Sequence, residues 1–399
     1  MRPLNPAVVA CPPSGIRRFF DIAASMEDVI SLGVGEPDYA TPWRIREAGI
    51  FALESGITTY TSNAGLLELR EAICADLDRR YAVSYRPADE CLITAGVSEG
   101  LDLALRAMLA PGEEVLIPEP CYVAYGPCVS LAGGTPVTVP TSGSDGFRLH
   151  ADVIAAAITP RTKAILLSSP ANPTGAVQAR EDLAAVVDLA VQHDLYLISD
   201  EIYERLSYLS PHVCVAALPG ALERTVLLGG FSKAYAMTGW RVGYLCAPAP
   251  ISELACRIHQ YTMLCASHMS QLAALEALRS GETDAAEMIA DYDRRRRIFV
   301  KGLCEIGLDC PEPGGAFYAF PSISSTGLTS QEFAEQLLYA ERVAVVPGDV
   351  FGASGEGHVR CCYATALSEL EEALVRIERF LGKLPGARAG APLRGTADQ

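Results

Sequence analysis

The sequence predicts an α/β fold: a large domain built on a mainly parallel sheet flanked by helices, plus a smaller α+β domain. Three observations predict it. Short apolar runs such as VLI, AILL and TVLL are hydrophobic on both faces, as strands buried on both sides of a parallel sheet are. Amphipathic helical patterns alternate with these runs, which puts helices on both faces of the sheet. The chain has 399 residues, more than one ordinary domain holds.

Strands are expected at Cys91–Thr94, Glu114–Pro118, Pro136–Pro140, Lys163–Ser168, Leu195–Ser199, Thr225–Gly229 and Val242–Ala247. In Arg180–Asp194, the residues Leu183, Val186, Val187, Ala190 and Val191 form one helical stripe. A Gly-containing turn followed by Ser98–Leu109 reads as strand, turn and helix in order. Toward the end, long helices are expected at Ala285–Gly307 and Ser368–Leu381, with strands at Ala316–Pro321 and Arg342–Val346 between them. The Pro- and Gly-rich first forty or so residues are expected to wrap onto this smaller unit. The expected organisation is a large domain over residues 46–284, a small domain from residues 1–45 and 285–384, and a flexible tail over 385–399.

Half of the residues are hydrophobic and 20% are charged, which supplies a large core and excludes a disordered chain. The net charge of −16 argues against nucleic-acid binding and against anionic membrane surfaces. A few arginines can still make a local site for a small anion. The 13 cysteines include no C-x-x-C, so zinc and haem spacings are absent and no metal is expected. They read as reduced, mostly buried residues of a cytoplasmic protein. No signal peptide and no membrane span is expected. The run Arg294–Arg297 points all round a helix and cannot converge on one ligand.

Only four lysines occur, and Lys233 has distinctive surroundings. It follows a buried strand, so it arrives at the carboxyl edge of the sheet, where open α/β sheets bind ligands. A desolvated lysine loses its proton readily and can form a Schiff base. Ser232 and Arg241 flank it, a hydroxyl and a fixed cation suited to phosphate. Asp200 follows another apolar strand and can keep a pyridinium nitrogen protonated, with the Tyr203 phenol three residues on. Asn172, in an N-P-T-G turn, can donate to a ring oxygen. The backbone N–H groups of Gly96, Val97 and Ser98 open a helix and can cradle a phosphate. Tyr122 can stack on a planar cofactor, and Arg360 presents a fork that matches a carboxylate. No G-x-G-x-x-G opens a helix here, which argues against a nicotinamide dehydrogenase. Alone, each of these residues has an ordinary structural explanation, such as an N-cap, a turn or core packing. Together they lie at the ends of successive buried strands.

From about Ser14 to Leu381 the sequence resembles the fold-type I, pyridoxal-phosphate-dependent aminotransferases of class I/II. The most specific segment is SKAYAMTGWRVGY (Ser232–Tyr244), supported by NPTG, DEIY and YTSNAGLLELREAI (Tyr60–Ile73). Within the family it is most similar to the aspartate-aminotransferase-like, aminotransferase A-type branch. The resemblance implies pyridoxal 5'-phosphate as cofactor, held as a Schiff base by Lys233, and transfer of an amino group between an L-amino acid and a 2-oxo acid with ping-pong kinetics. It implies that Asp200 pairs with the ring nitrogen, that Tyr203 and Asn172 bond the ring hydroxyl, and that Tyr122 stacks on the ring. Gly96, Val97, Ser98, Ser232 and Arg241 would hold the phosphate. Tyr60 would reach the phosphate of a neighbouring subunit, so a homodimer with shared sites is implied. Arg360, with the Gly35 backbone beside it, would clamp the substrate α-carboxylate.

In many relatives a serine or threonine stands three residues before the lysine, and here Gly230 does. Ser98, Ser232 or water must then compensate. Cys361 and Cys362 raise the question of oxidation beside Arg360, with buried packing the simpler role. Arg17 and Arg18 are candidate cations for a dicarboxylate substrate, and Ile16 would favour an apolar side chain. Two other readings stand beside transamination. A C–S β-lyase would use the same Lys233 and Arg360. A non-catalytic amino-acid sensor would need a DNA-binding domain ahead of the fold, and the start of the family pattern near Ser14 leaves no expected room for one.

Overall fold

The computed structural model describes residues 2–11, 15 and 26–384. The chain forms a two-residue strand, β1 (Ile30–Ser31), and then seven strands of one sheet. These are β2 (Cys91–Thr94), β3 (Glu114–Glu119), β4 (Thr135–Pro140), β5 (Thr162–Ser168), β6 (Tyr196–Asp200), β7 (Thr225–Gly230) and β8 (Gly243–Cys246). All seven expected strands form, with ends displaced by at most one residue. Their order is β2-β8-β7-β6-β5-β3-β4. Every pairing is parallel except the two made by β8, which runs antiparallel to β2 and β7.

Apolar side chains point alternately to the two faces of these strands. Leu166, Ile198, Val226 and Leu228 pack beneath the helices Val97–Met108 and Ala249–Thr262. Ile165, Leu167 and Leu197 pack on the opposite face against Leu183, Val186, Val187 and Ala190 of the helix Arg180–Gln192. Each such fully buried Leu, Ile or Val contributes about 1.5–3 kcal/mol, so the sheet centre is the firmest support available to a site.

The remaining strands are short. They are β9 (Tyr318–Ala319), β10 (Val343–Ala344), β11 (Val346–Pro347) and β12 (Val359–Cys362). The strand expected over Ala316–Pro321 pairs only at its centre. The one expected over Arg342–Val346 divides: β10 pairs in parallel with β1, while β11 joins the antiparallel sheet β11-β12-β9. A two-residue segment of the N-terminal part is thus tied to the C-terminal part of the chain. The long helices span Glu282–Glu305 and Leu367–Leu381. On the first, Arg295 turns to Asp38 and Asp291 whereas Arg296 turns to Asp293 and Glu312, so the arginine run splits between different partners. The expected tail over residues 385–399 lies outside the described residues.

From β3 the chain crosses outward to β4, and from β5 onward it progresses to the other side. The carboxyl edge between β3 and β5 is therefore a topological switch point, where such sheets open a crevice. Because β8 is antiparallel, its first residues lie at that same edge. There Gly243 faces the turn after β2 so closely that a Cβ would stand 2.9 Å from the Gly96 carbonyl carbon and the Val97 nitrogen. Both neighbours are backbone and cannot rotate away. Gly243→Ala is expected to destabilise the fold by about 1–3 kcal/mol, read as a lower urea midpoint; an unchanged midpoint would show that the two segments separate freely.

Candidate active site

A cavity of about 640 Å³ opens at this edge. The ends of β5, β6 and β7 and the start of β8 deliver its lining. Val97 and Ser98 follow β2, Tyr122 follows β3, and Asn172 follows β5. Asp200 ends β6 and Tyr203 follows it; Ser232 and Lys233 follow β7; Arg241 precedes β8. Gly35 and, from β12, Arg360 close the other side.

Lys233 is half-buried because its amine opens to the cavity, but protein crowds it on the other sides. Its Nζ donates to the Gly35 carbonyl at 2.6 Å. This desolvation, aided by the charges of Arg360 and Arg241 and opposed by Cys362 and Glu36, lowers its pKa to about 8. Asp200 is buried, and burial pushes its carboxyl above the usual value. Two donors oppose that shift: the Tyr125 hydroxyl at 2.7 Å from Oδ2 and the Ile202 N–H at 3.2 Å from Oδ1.

Arg360 is 2% exposed. Its Nη1 donates to Asn172 Oδ1 at 2.9 Å and its Nη2 to the Gly33 carbonyl at 2.6 Å. Its Nε has no partner. The guanidinium lies over the Tyr318 ring, 4.5 Å from the centroid, and 5.0 Å from that of Phe351. No carboxylate among the described residues pairs with it. A buried cation in this condition costs free energy unless an anion completes it.

The turn after β2 needs its glycine. Gly96 has φ +79°, and a Cβ there would meet Arg241 Nη2 at 2.6 Å. One expectation is corrected here: the Gly96 N–H donates to the Thr94 carbonyl at 2.8 Å and is already used. Val97 and Ser98 head the following helix at the cavity wall, where first-turn N–H groups lack intrahelical partners.

Gly230 does not line the cavity. A Cβ on it would sit 3.2 Å from Ile202 Cδ1, so Ile202 packs against the space beside it. Cys361 and Cys362 are buried, and burial raises both thiols, Cys362 to about 11, which leaves them chemically quiet. Tyr60 is 79% exposed and lies outside the cavity of its own chain. Ile16, Arg17 and Arg18 lie outside the described residues.

The sequence reading missed Tyr125, Tyr318, Glu36 and Thr238. Tyr125 follows Tyr122 by three residues, so a helical turn after β3 would have exposed it as a second ring at the site. Tyr318 pairs across β9 and β12 with Cys362, two residues from Arg360. Its hydroxyl meets that of Tyr203 at 2.7 Å.

Comparison with known proteins places the chain in a family. The family described as aminotransferase class I and II matches residues 27–377. The protein YugH of Bacillus subtilis (strain 168) is 55% identical over 380 residues, covering 95% of this chain and 98% of its own. An aspartate aminotransferase of Pyrococcus abyssi is 48% identical over 372 residues, covering 92% and 96%. The solved aromatic aminotransferase of Pyrococcus horikoshii OT3 superposes with a TM-score of 0.88 at 46% identity, covering 92% of this chain and 99% of that one. The chain belongs to the class I and II aminotransferase family, and it is an enzyme of that class.

Two measurements test the site. In ligand-free protein, labelling of Lys233 by an amine reagent should follow a midpoint near pH 8; a midpoint near 10.5 would remove the desolvation argument. The sign also fixes a stability trend. The charged amine is disfavoured in the fold, so stability should rise between pH 8 and 10.5, and Lys233→Met should remove that rise. Second, Tyr125→Phe takes a donor from Asp200, and the Asp200 carboxyl should titrate higher, read by infrared difference spectroscopy; an unshifted band would show the contact is idle.

Proposed function

We propose that this cavity holds pyridoxal 5'-phosphate and that the enzyme moves an amino group between an L-amino acid and a 2-oxo acid in two half-reactions. One observation carries the reading. Lys233, Arg241 and Arg360 share one cavity, and none is paired with a carboxylate among the described residues. A site built this way awaits two anions and an electrophile. A phosphate, a substrate carboxylate and an aldehyde satisfy it.

Bound pyridoxal phosphate supplies an aldehyde carbon that condenses with amines and a ring that accepts the electron pair left when a proton leaves the α-carbon. The chain's own residues do the rest. Arg241, the Ser232 hydroxyl and the N–H groups of Val97 and Ser98 would hold the phosphate. The buried Asp200 carboxylate would keep a positive charge on the ring nitrogen. Asn172 accepts from Arg360 through Oδ1, which leaves its Nδ2 to donate to the ring hydroxyl beside Tyr203. Tyr122 would cover the ring face. Arg360 would bind the α-carboxylate and give its orphaned Nε a partner. Lys233 Nζ, neutral in a large share of molecules near pH 8, would take the α-proton and give it back as general base and acid.

The exposed Tyr60 is assigned to the phosphate site of a partner subunit, which makes a homodimer the active unit. Among the described residues, no cation beyond these three lines the cavity. The choice between an acidic and an apolar side chain is assigned, on the sequence alone, to Ile16 and Arg17.

The test adds pyridoxal phosphate to the purified protein and follows the visible spectrum during mixing with single amino acids. Wild type should develop an absorbance that an amino acid bleaches without any oxo acid. Lys233→Ala should not turn over. Arg360→Ala should lower kcat/KM roughly 30-fold or more, since a buried partner of a carboxylate is lost. Absence of the absorbance would overturn the reading, and pyruvate with ammonia released from cysteine without an acceptor would replace it with β-elimination.

A further inference from the structure

The backbone of Ala95, between β2 and the helix Val97–Met108, is held on both sides of its α-carbon. Its carbonyl accepts from Arg241 Nη2 at 3.3 Å. Its N–H donates to Glu99 Oε2 at 2.5 Å. The other oxygen of Glu99 meets His259 Nδ1 at 2.6 Å. His259 sits in the helix Ala249–Thr262, which packs against Val97–Met108, and it is 0% exposed. Its Nε2 finds no partner. Neither Glu99 nor His259 lines the cavity.

A glutamate in the first turn of a helix often bonds the N-cap N–H. Here the N-cap is Gly96, whose N–H is taken by Thr94, and Glu99 reaches one residue further back. Ordinary capping also needs no buried imidazole. Holding a partly buried carboxylate against a fully buried imidazole carries a desolvation cost that a packed apolar pair would avoid.

We propose that Glu99 and His259 are positioning residues for the phosphate site, an inference that rests on the function proposed above. His259 fixes the Glu99 carboxylate, Glu99 fixes the Ala95 N–H, and the backbone anchored there continues into the turn and the Ala95 carbonyl that receives Arg241. Gly96 can then keep its φ of +79° with Arg241 packed against it, and Val97 and Ser98 stay at the cavity wall. The link acts on the phosphate end of the ligand only. Asp200, Asn172 and Tyr203, which would face the ring, share no hydrogen bond with Glu99 or His259.

This selectivity defines the experiment. Ligand-free wild type, Glu99→Ala, Glu99→Gln and His259→Gln are titrated with pyridoxal phosphate and, separately, with pyridoxal, which lacks the phosphate. Binding is followed by absorbance, and melting midpoints check the fold. Glu99→Ala and His259→Gln should raise the Kd for pyridoxal phosphate about tenfold, the scale of a lost hydrogen bond to a charged group, and leave that for pyridoxal within about twofold. Glu99→Gln keeps an oxygen for the Ala95 N–H and should recover part of the loss; it also serves if Glu99→Ala does not fold. Equal weakening of both ligands, or none, would overturn the proposal. Failure of wild type to bind pyridoxal phosphate at all would instead overturn the proposed function.

Discussion

Cations without carboxylates to neutralise them are the constraint around which this site is organised. Arg360 is the sharpest case. Its guanidinium is buried, its two terminal nitrogens are bound to a side-chain amide and a backbone carbonyl, and its Nε is unpartnered. Neutral acceptors and two aromatic rings hold it in place without cancelling its charge. Had an aspartate or glutamate stood there instead, the arginine would be more comfortable and unavailable. The surrounding structure carries the cost of this arrangement, which an anionic ligand would recover.

That cost demands a rigid support, and the sheet provides one. Apolar strands buried on both faces end at a common edge, and the antiparallel β8 returns Arg241 to the same edge from the opposite direction. Arg360 comes from a different sheet, on β12, and reaches across to Asn172 after β5. The cavity is thus the place where two sheets face each other, and its contacts are long-range in sequence. The parallel pairing of β1 with β10 helps to hold the second face, because the backbone just past β1 supplies the carbonyls of Gly33 and Gly35 that receive Arg360 and Lys233.

The sequence made the large sheet legible because long apolar runs leave little choice of conformation, and a residue just after such a run must stand at the sheet edge. Lys233, Asp200, Asn172 and Tyr122 could be placed by that rule. The rule fails for β9, β10 and β11, whose two-residue pairings are imposed by tertiary contacts. It also fails for residues that enter the site sideways. Tyr125 and Tyr318 look like core aromatics in sequence, and only the fold turns their hydroxyls toward Asp200 and Tyr203. Glu99 and His259 are 160 residues apart and carry no motif. Gly96 shows the opposite error: its place at the turn was readable, but its N–H had a partner that spacing could not reveal.

The division of labour between arginine and lysine follows from the same electrostatics. In a chain of net charge −16 with only four lysines, the fixed positive charges of the cavity are guanidiniums, which do not release a proton in proteins. Arg360 and Arg241 therefore stay charged whatever the ligand does. Lys233 stands between them, and both push its pKa down together with burial. A lysine in place of either arginine could itself lose its proton and relieve that pressure. The two fixed charges thus add to burial in lowering the pKa of the one lysine of the cavity, and in the function proposed above the same arginines would hold the anions.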